Sequence, residues 1–252
     1  MARIDTKVTH GIGGHADTVF LRVLSDLNGL KIIRAHSRHS LTKKKSVPFC
    51  TSGVHRVYTI LGEPKPPWDN TPNNPRNAWV SALDFACNWA SGARSEASAV
   101  SQITTGAYSK FGKTYDGTQT HTLPNNPCHL SDIINGSKVD CKDMSAVVCL
   151  FTRLTGGATA QVRRVNGDPL NGFAYKTLLP IGIATWRSGI WSHHQFAWFN
   201  GKVYDACVKL KESTPYIPVN DDLDTSYKPN VWDTTKPGNW IPATPHEIMS
   251  FD

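Results

Sequence analysis

Apolar residues recur along the first half of this 252-residue chain at the spacing of helices that bury one face. In residues 77–90 and again in residues 95–108, apolar side chains return every three to four positions, which is the period of one face of an α-helix. These two segments predict a pair of helices that pack together as a layer.

A third segment, residues 139–157, carries the same apolar stripe and has clearer ends. Asp140 is a favourable N-cap, and Asp143 stands three residues further on in the capping-box position, although it is shorter than the usual Glu. Two consecutive glycines at the other end of the segment terminate the helix. The sequence therefore predicts a helix whose first residue is Cys141.

The pattern changes to short runs rich in β-branched and aromatic residues after this helix. Such runs predict successive strands, at residues 158–165, 173–186, 192–199 and 202–210. An earlier strand is predicted at residues 54–61. Helices followed by consecutive strands indicate an α+β fold, with the helices packed on an antiparallel sheet.

A hairpin joins the last two predicted strands. Asn200-Gly201 is a strong signal for a two-residue turn, since both central positions of a type I′ turn need positive φ. The resulting register places Phe196 opposite Asp205. His194 lies two residues from Phe196 on the same strand face, so His194 and Asp205 are predicted to be diagonal neighbours within side-chain reach.

The chain divides by composition into three parts. Residues 1–62 form a basic mixed segment that is expected to pack on the core, and nine Lys or Arg against three Asp fall within residues 1–50. Residues 63–210 are predicted to be the catalytic core, which opens with an irregular stretch containing five prolines. Residues 211–252, with six prolines, are predicted to wrap around the surface.

Composition excludes several classes of protein. No apolar run reaches the roughly 18 residues that a membrane-spanning helix needs, and the N-terminus lacks the apolar stretch of a signal peptide. Location in the cell therefore stays open. The net charge of +7 comes mostly from the basic N-terminal segment, but no recognition motif accompanies it, so nucleic-acid binding is not expected.

Six cysteines are spread along the chain without a C-x-x-C pair, so neither a zinc motif nor a disulfide framework is predicted. Cys149 falls inside the third helix and is expected to be core. Cys141 differs because a helix N-terminus stabilises a thiolate, and the unpaired N–H groups there can also donate to an oxyanion.

Cys141, His194 and Asp205 together suggest a nucleophilic triad, in which the imidazole takes the thiol proton and the carboxylate orients the imidazole. Each residue alone is more often structural, and their joint placement carries the prediction. His193 points to the opposite strand face and is expected to have no catalytic role. No metal site and no cofactor are predicted.

The chain resembles the transglutaminase-like superfamily, relatives of the papain-like cysteine proteases. The resemblance covers roughly residues 76–210 and rests on D-C-x-D opening an amphipathic helix, a strand that begins with His, a turn, and an Asp in the next strand. It implies a papain-like core, and by matching motif positions the catalytic triad falls on Cys141, His194 and Asp205.

The resemblance further implies a thiol-dependent acyl-transfer enzyme that acts on amide bonds of protein or peptide substrates, first of all a cysteine peptidase or amidase. Transglutaminase, protein deamidase and peptide N-glycanase activities occur in the same superfamily, and a non-catalytic binding module that keeps the fold is a further alternative. The side-chain oxyanion donor is left open among Trp191, Asn135 and Gln119.

Overall fold

The structure, a computed structural model, describes residues 2–12, 15–25, 58–71, 74–75, 79–122, 128–156, 158–248 and 251. The chain forms two compact units, residues 1–59 and 60–252. In the first unit, strand β1 (Ala2–Ile12) pairs antiparallel with β2 (His15–Ser25). Of the strand predicted at 54–61, residues 54–57 lie outside the described residues and residues 58–61 form no strand.

The second unit holds the helices and the other strands. Its helices are α1 (Val80–Trp89), α2 (Glu96–Lys110), α3 (Leu130–Asn135), α4 (Cys141–Leu154), a π-helical turn (Leu223–Tyr227) and α5 (Lys228–Val231). Its strands are β3 (Asn70–Thr71), β4 (Asn74–Pro75), β5 (Thr114–Tyr115), β6 (Lys138–Val139), β7 (Gln161–Asn166), β8 (Phe173–Pro180), β9 (Arg187–Trp191), β10 (His193–Phe199), β11 (Lys202–Tyr204), β12 (Val208–Leu210), β13 (Val219–Asp222) and β14 (Ile241–Pro242).

The three predicted helices are present, and α1 and α2 both pack on α4. Helix α2 begins where the sequence offers a cap, because the Ser95 hydroxyl accepts the backbone N–H of Ser98 and the Ser98 hydroxyl accepts that of Ser95. Gly106 allows α1 and α2 to approach closely, since a Cβ there would lie 2.4 Å from the Trp89 ring. Helix α4 is consequently enclosed, with all but one of its residues buried.

A five-stranded sheet in the order β13-β11-β10-β7-β14 packs against α4 through β10. Every neighbouring pair of strands in this sheet is antiparallel. The fold is therefore α+β with helices on an antiparallel sheet, as predicted. The N-terminus of α4 and the strand that carries both histidines belong to the two layers in contact.

Two predicted strands are shorter than expected, because each is interrupted by a turn. The strand predicted at 173–186 ends at Pro180, Gly182 adopts a φ of +67° in the turn that follows, and β9 then returns antiparallel to β8. The strand predicted at 202–210 breaks at Asp205, whose Oδ1 accepts the N–H of Cys207 at 2.8 Å. Its second half, β12, belongs to a separate three-stranded sheet in the order β12-β8-β9.

The segment after residue 210 contributes directly to the five-stranded sheet. Strands β13 and β14 form the two edges of that sheet, paired with β11 and β7 respectively. Between them, the π-helical turn contacts β11 and β13, and α5 contacts β8 of the three-stranded sheet. No helix in the described part of the chain combines the length and apolar character needed to cross a membrane.

Candidate active site

The N-terminus of α4 is held by the predicted capping box. Asp140 Oδ1 accepts the N–H groups of Lys142 at 2.8 Å and Asp143 at 3.0 Å, and Asp143 Oδ2 accepts the N–H of Asp140 at 3.2 Å. Cys141 is the first helical residue, so its own N–H has no partner within the helix. The thiol thus lies at the positive end of the helix dipole, beside a donor that can bind an oxyanion.

Asp143 also fixes the loop that passes in front of the helix start. Its Oδ1 accepts the N–H of His121 at 2.9 Å and the hydroxyl of Thr122 at 3.0 Å. Burial, followed by the charge of nearby Asp140, raises the pKa of Asp143 to about 6. This carboxyl group is enclosed and fully engaged, so its role is to hold the segment that carries the cysteine.

The hairpin beside the helix has the predicted turn and register. Asn200 and Gly201 have φ of +49° and +76°, and the cross-strand pairs run from Phe199–Lys202 to Ala197–Tyr204. The predicted pair of Phe196 with Asp205 is absent, because the ladder ends one pair earlier. The Asp205 N–H instead donates to the carbonyl of Pro218 at 2.9 Å.

His194 and Asp205 nevertheless meet as the register predicted. His194 Nε2 lies 2.8 Å from Asp205 Oδ2, and each of the two side chains is only 1% exposed. Strand β10 packs on α4, which carries Cys141 at its first position. The other imidazole nitrogen, Nδ1, is buried and has no hydrogen bond within the described residues, so it is the nitrogen left for the thiol.

The electrostatics of His194 favour the imidazolium form. Burial by itself lowers the pKa of His194, but the charge and hydrogen bond of Asp205, followed by the nearby thiol of Cys141, raise it to about 10. An imidazole that holds a proton this firmly stabilises a neighbouring thiolate. His194 and Cys141 can therefore form the imidazolium–thiolate pair that nucleophilic attack requires.

Aromatic rings cover the imidazole on one side. The Trp191 indole stacks on the His194 ring with centroids 4.3 Å apart and planes 8° from parallel, and Tyr175 stacks on the other face of Trp191 at 4.1 Å. The face of an indole attracts a cation, so this stack also favours imidazolium. It limits the access of water to the bond between His194 and Asp205.

The Asp205 carboxylate is fully engaged by donors. In addition to His194, Oδ2 accepts the hydroxyl of Tyr227 at 2.6 Å, and Oδ1 accepts the N–H of Cys207. Tyr227 is 0% exposed and belongs to the π-helical turn after β13. Three donors therefore converge on one buried carboxyl group and fix its orientation.

A cleft of about 250 Å³ opens at the start of α4. It is lined by Tyr115, Gly117, Thr120, Asp140, Cys141, Lys142, Ile190, Trp191, Ser192 and His193. The nucleophile is therefore accessible from the cleft, while His194 and Asp205 lie behind the wall. Within the described residues, no cluster of three or more His, Cys, Asp or Glu could hold a metal ion.

His193 occupies a more prominent place than the sequence suggested, since it forms part of the cleft wall. Its Nδ1 lies 3.1 Å from the hydroxyl of Ser192. Burial, then the charges of Arg164 and Lys142, lower the pKa of His193 to about 4. A neutral imidazole therefore faces the cleft at ordinary pH.

The cleft also distinguishes among the other residues that the sequence suggested for the site. Of the three possible oxyanion donors, Trp191 lines the cleft, whereas Asn135 and Gln119 are exposed and are not among its lining residues. None of the five cysteines within the described residues forms a disulfide, and Cys149 is fully buried as predicted. Burial raises the pKa of Cys149 to about 12, which makes it a poor nucleophile.

Several residues of the site carry no signal in the sequence. Tyr115 comes from the two-residue strand β5, Thr120 from a loop and Tyr227 from the proline-rich C-terminal segment, where neither periodicity nor a motif indicates what a side chain will contact. Trp191 was named from the sequence as a possible oxyanion donor, but its stacking on His194 was not predicted. No known protein family, curated protein or solved structure matches this chain.

Proposed function

We propose that this chain is a cysteine peptidase or amidase, with Cys141 as nucleophile, His194 as general acid and base and Asp205 as the group that orients the imidazole. The observation that carries the proposal is the arrangement around His194. One ring nitrogen is bonded to a buried carboxylate, and the other is unbonded and left for a thiol that lies at a helix N-terminus and opens on a cleft.

The reaction follows from these positions. The Cys141 thiol transfers its proton to His194, and Sγ attacks the amide carbonyl carbon, while the N–H of Cys141 binds the developing oxyanion. The tetrahedral intermediate collapses as His194 gives its proton to the leaving amine. A thioester remains. Water attacks its carbonyl carbon while His194 removes one proton from the water, the C–S bond breaks to release the carboxylic acid, and His194 returns the proton to Sγ to restore the thiol.

The α+β fold and the order Cys, His, Asp along the chain support assignment to the transglutaminase-like superfamily as part of the same proposal. The nucleophile begins a helix, and the other two residues lie on and just beyond a hairpin, which is the arrangement that the resemblance implies. The aromatic stack and the extended contacts of Asp205 further support a site held ready for proton transfer.

Mass spectrometry of a peptide library, incubated with the protein and separately with Cys141→Ala, tests the proposal. We expect new peptide termini or deamidated side chains only with the unaltered protein. Parallel incubation with a primary amine separates the alternatives, since a transglutaminase would form amine adducts in preference to hydrolysed products. Identical peptide profiles for both proteins, with and without amine, would refute acyl transfer and favour a binding module.

A further inference from the structure

The most unexpected contact of the site comes from outside the region that the triad motif covers. The Tyr227 hydroxyl donates to Asp205 Oδ2 at 2.6 Å, and this is the same oxygen that binds His194 Nε2. Residues 211–252 thus contribute to a site that the motif confines to earlier residues. The question is whether this bond only fastens the segment or acts on the chemistry.

Three features place the phenol with little freedom. The ring of Tyr227 packs edge-to-face on Phe196, with centroids 5.0 Å apart. The π-helical turn that carries it is capped by Asp222, whose Oδ1 accepts the N–H groups of Asp224 and Thr225. Strand β13, immediately before the turn, pairs with β11 at the hairpin. The hydroxyl is therefore held against the carboxylate from a rigid support.

The phenol remains a donor across the working pH range. Burial, followed by the charge of Asp205, raises the pKa of Tyr227 well above its ordinary value of 10.0. Cys207 behaves similarly, since burial and then Asp205 raise its pKa well above 9.0. The other titratable groups near the pair are His193, Cys141, Asp221, Tyr108 and Tyr115, and burial raises the pKa of both of these phenols.

We propose that Tyr227 is a positioning residue of the active site, which fixes the Asp205 carboxylate and shares its Oδ2 with His194. This inference rests on the proposed function. The phenol withdraws part of the negative charge that the carboxylate would otherwise direct at the imidazole, and it prevents rotation of the carboxylate away from Nε2. Tyr227 thereby acts on the proposed site through Asp205, although it lies beyond the residues that the motif covers.

The direction of the effect follows from charge. Without the phenol hydroxyl, the carboxylate concentrates its charge on His194 and holds the imidazolium proton more tightly. Tyr227→Phe should therefore move the upper inflection of Cys141 reactivity, where His194 loses its proton, to higher pH by about one unit, which corresponds to one hydrogen bond to a charged group. A bond that served only to fasten the segment would lower stability and leave the inflection in place.

The test is the rate of Cys141 alkylation by iodoacetamide as a function of pH, which needs no knowledge of the substrate. Tyr216→Phe is the matched control, because the Tyr216 hydroxyl donates to Asp221 Oδ2 at 2.9 Å in the same segment and not to Asp205, which binds His194. We expect a shifted inflection for Tyr227→Phe and an unshifted one for Tyr216→Phe. In an Asp205→Asn background, the Tyr227→Phe shift should disappear.

A second variant protects the test against loss of folding. Site-specific replacement of Tyr227 by 3-fluorotyrosine keeps the ring and makes the phenol a stronger donor, so the inflection should move to lower pH. Unshifted profiles in both Tyr227 variants, with Cys141 still reactive at low pH, would overturn the proposed role of Tyr227 and leave the proposed function intact. A wild-type profile with the single inflection of an ordinary thiol would overturn the proposed function and this inference together.

Discussion

His193 and His194 are adjacent on one strand, yet the two faces of β10 give them opposite chemistry. His194 faces inward, where Asp205 and the stacked Trp191 favour the charged ring and raise its pKa. His193 faces the cleft, where partial burial and the neighbouring cations Arg164 and Lys142 disfavour a charge and lower its pKa. The residue type is the same, so the difference comes entirely from what each face of the strand meets.

The comparison teaches which of two histidines can serve a nucleophile. A cleft-lining position is the usual reason to suspect a catalytic residue, and it would select His193. The hydrogen bonds select the buried neighbour instead, because only His194 has a carboxylate on one nitrogen and an unbonded nitrogen on the other. The predictions below test whether this division of roles is correct.

The largest effect is expected from replacing His194, in contrast to replacing His193. His194→Asn removes the group that accepts and returns the proton, so turnover should fall by about 10²–10⁴-fold. His193→Asn, which keeps a polar side chain on the cleft wall, should lower turnover by no more than about tenfold, the equivalent of one ordinary hydrogen bond. Steady-state kinetics of both variants on a peptide identified from the library measure the contrast. Equal losses would mean that the division of roles is wrong.

Asp205→Asn removes the feature that most distinguishes His194 from its neighbour. Turnover should fall by about 10²–10³-fold, somewhat less than in a serine triad, because a thiolate forms partly without a base. Three donors converge on the carboxylate, so the amide cannot satisfy them all, and stability should fall by about 1–3 kcal/mol. Turnover and urea unfolding on the same preparation give both values.

Asp221→Asn is the control for Asp205→Asn. Asp221 accepts hydroxyl groups from Tyr216 and Ser226 in the C-terminal segment and makes no bond to the imidazole. Its replacement should leave turnover unchanged. A loss of turnover in Asp221→Asn equal to that in Asp205→Asn would show that both act through the fold.

A smaller effect is expected from the aromatic stack. Trp191→Phe keeps an aromatic ring but presents a weaker face to the imidazolium, so turnover should fall about three- to tenfold, and the upper inflection of the pH profile should move to lower pH. Trp198→Phe is the matched control, because Trp198 lies on the strand of His194 but stacks with Arg163 at 4.3 Å, and it should leave the profile in place. A profile that does not move in Trp191→Phe would limit Trp191 to shielding the site from water.

The smallest effect concerns the stability of the cleft wall in acid. The folded protein holds His193 neutral down to a pH of about 4, whereas the unfolded chain takes up the proton near 6.5. The unfolded state therefore binds more protons between these values, and stability should decline as the pH falls from 6.5 to 4. His193→Asn should remove a few tenths to about 1 kcal/mol of that decline, after allowance for solvent screening. Urea unfolding at pH 7 and pH 5 checks the difference.

Local signals in the sequence account for the parts of this site that could be predicted. The capping box at Asp140 and Asp143 places Cys141 at a helix start, and the turn at Asn200-Gly201 brings His194 towards Asp205. Both depend on residues close to one another along the chain. Backbone preferences of a few residues are enough to decide them.

Contacts between distant segments could not be predicted in the same way. Nothing near Tyr227 indicates that it will meet Asp205, because that contact depends on β13 pairing with β11. The break in the strand at Asp205 was missed because its apolar neighbours continue the alternation of a strand. The place of His193 on the cleft wall depends on the loop opposite, whose position follows from bonds to Asp143.

The most direct measurement of the central claim is competition among the six cysteines for one equivalent of iodoacetamide at pH 6, followed by peptide mapping. An ordinary thiol is almost entirely protonated at this pH and reacts slowly, whereas a thiolate held by imidazolium reacts at once. We predict modification of Cys141 before Cys50, Cys87, Cys128, Cys149 and Cys207, and loss of this preference in His194→Asn. Preferential modification of any other cysteine, or an unchanged preference for Cys141 in His194→Asn, would contradict an activated nucleophile at the start of α4.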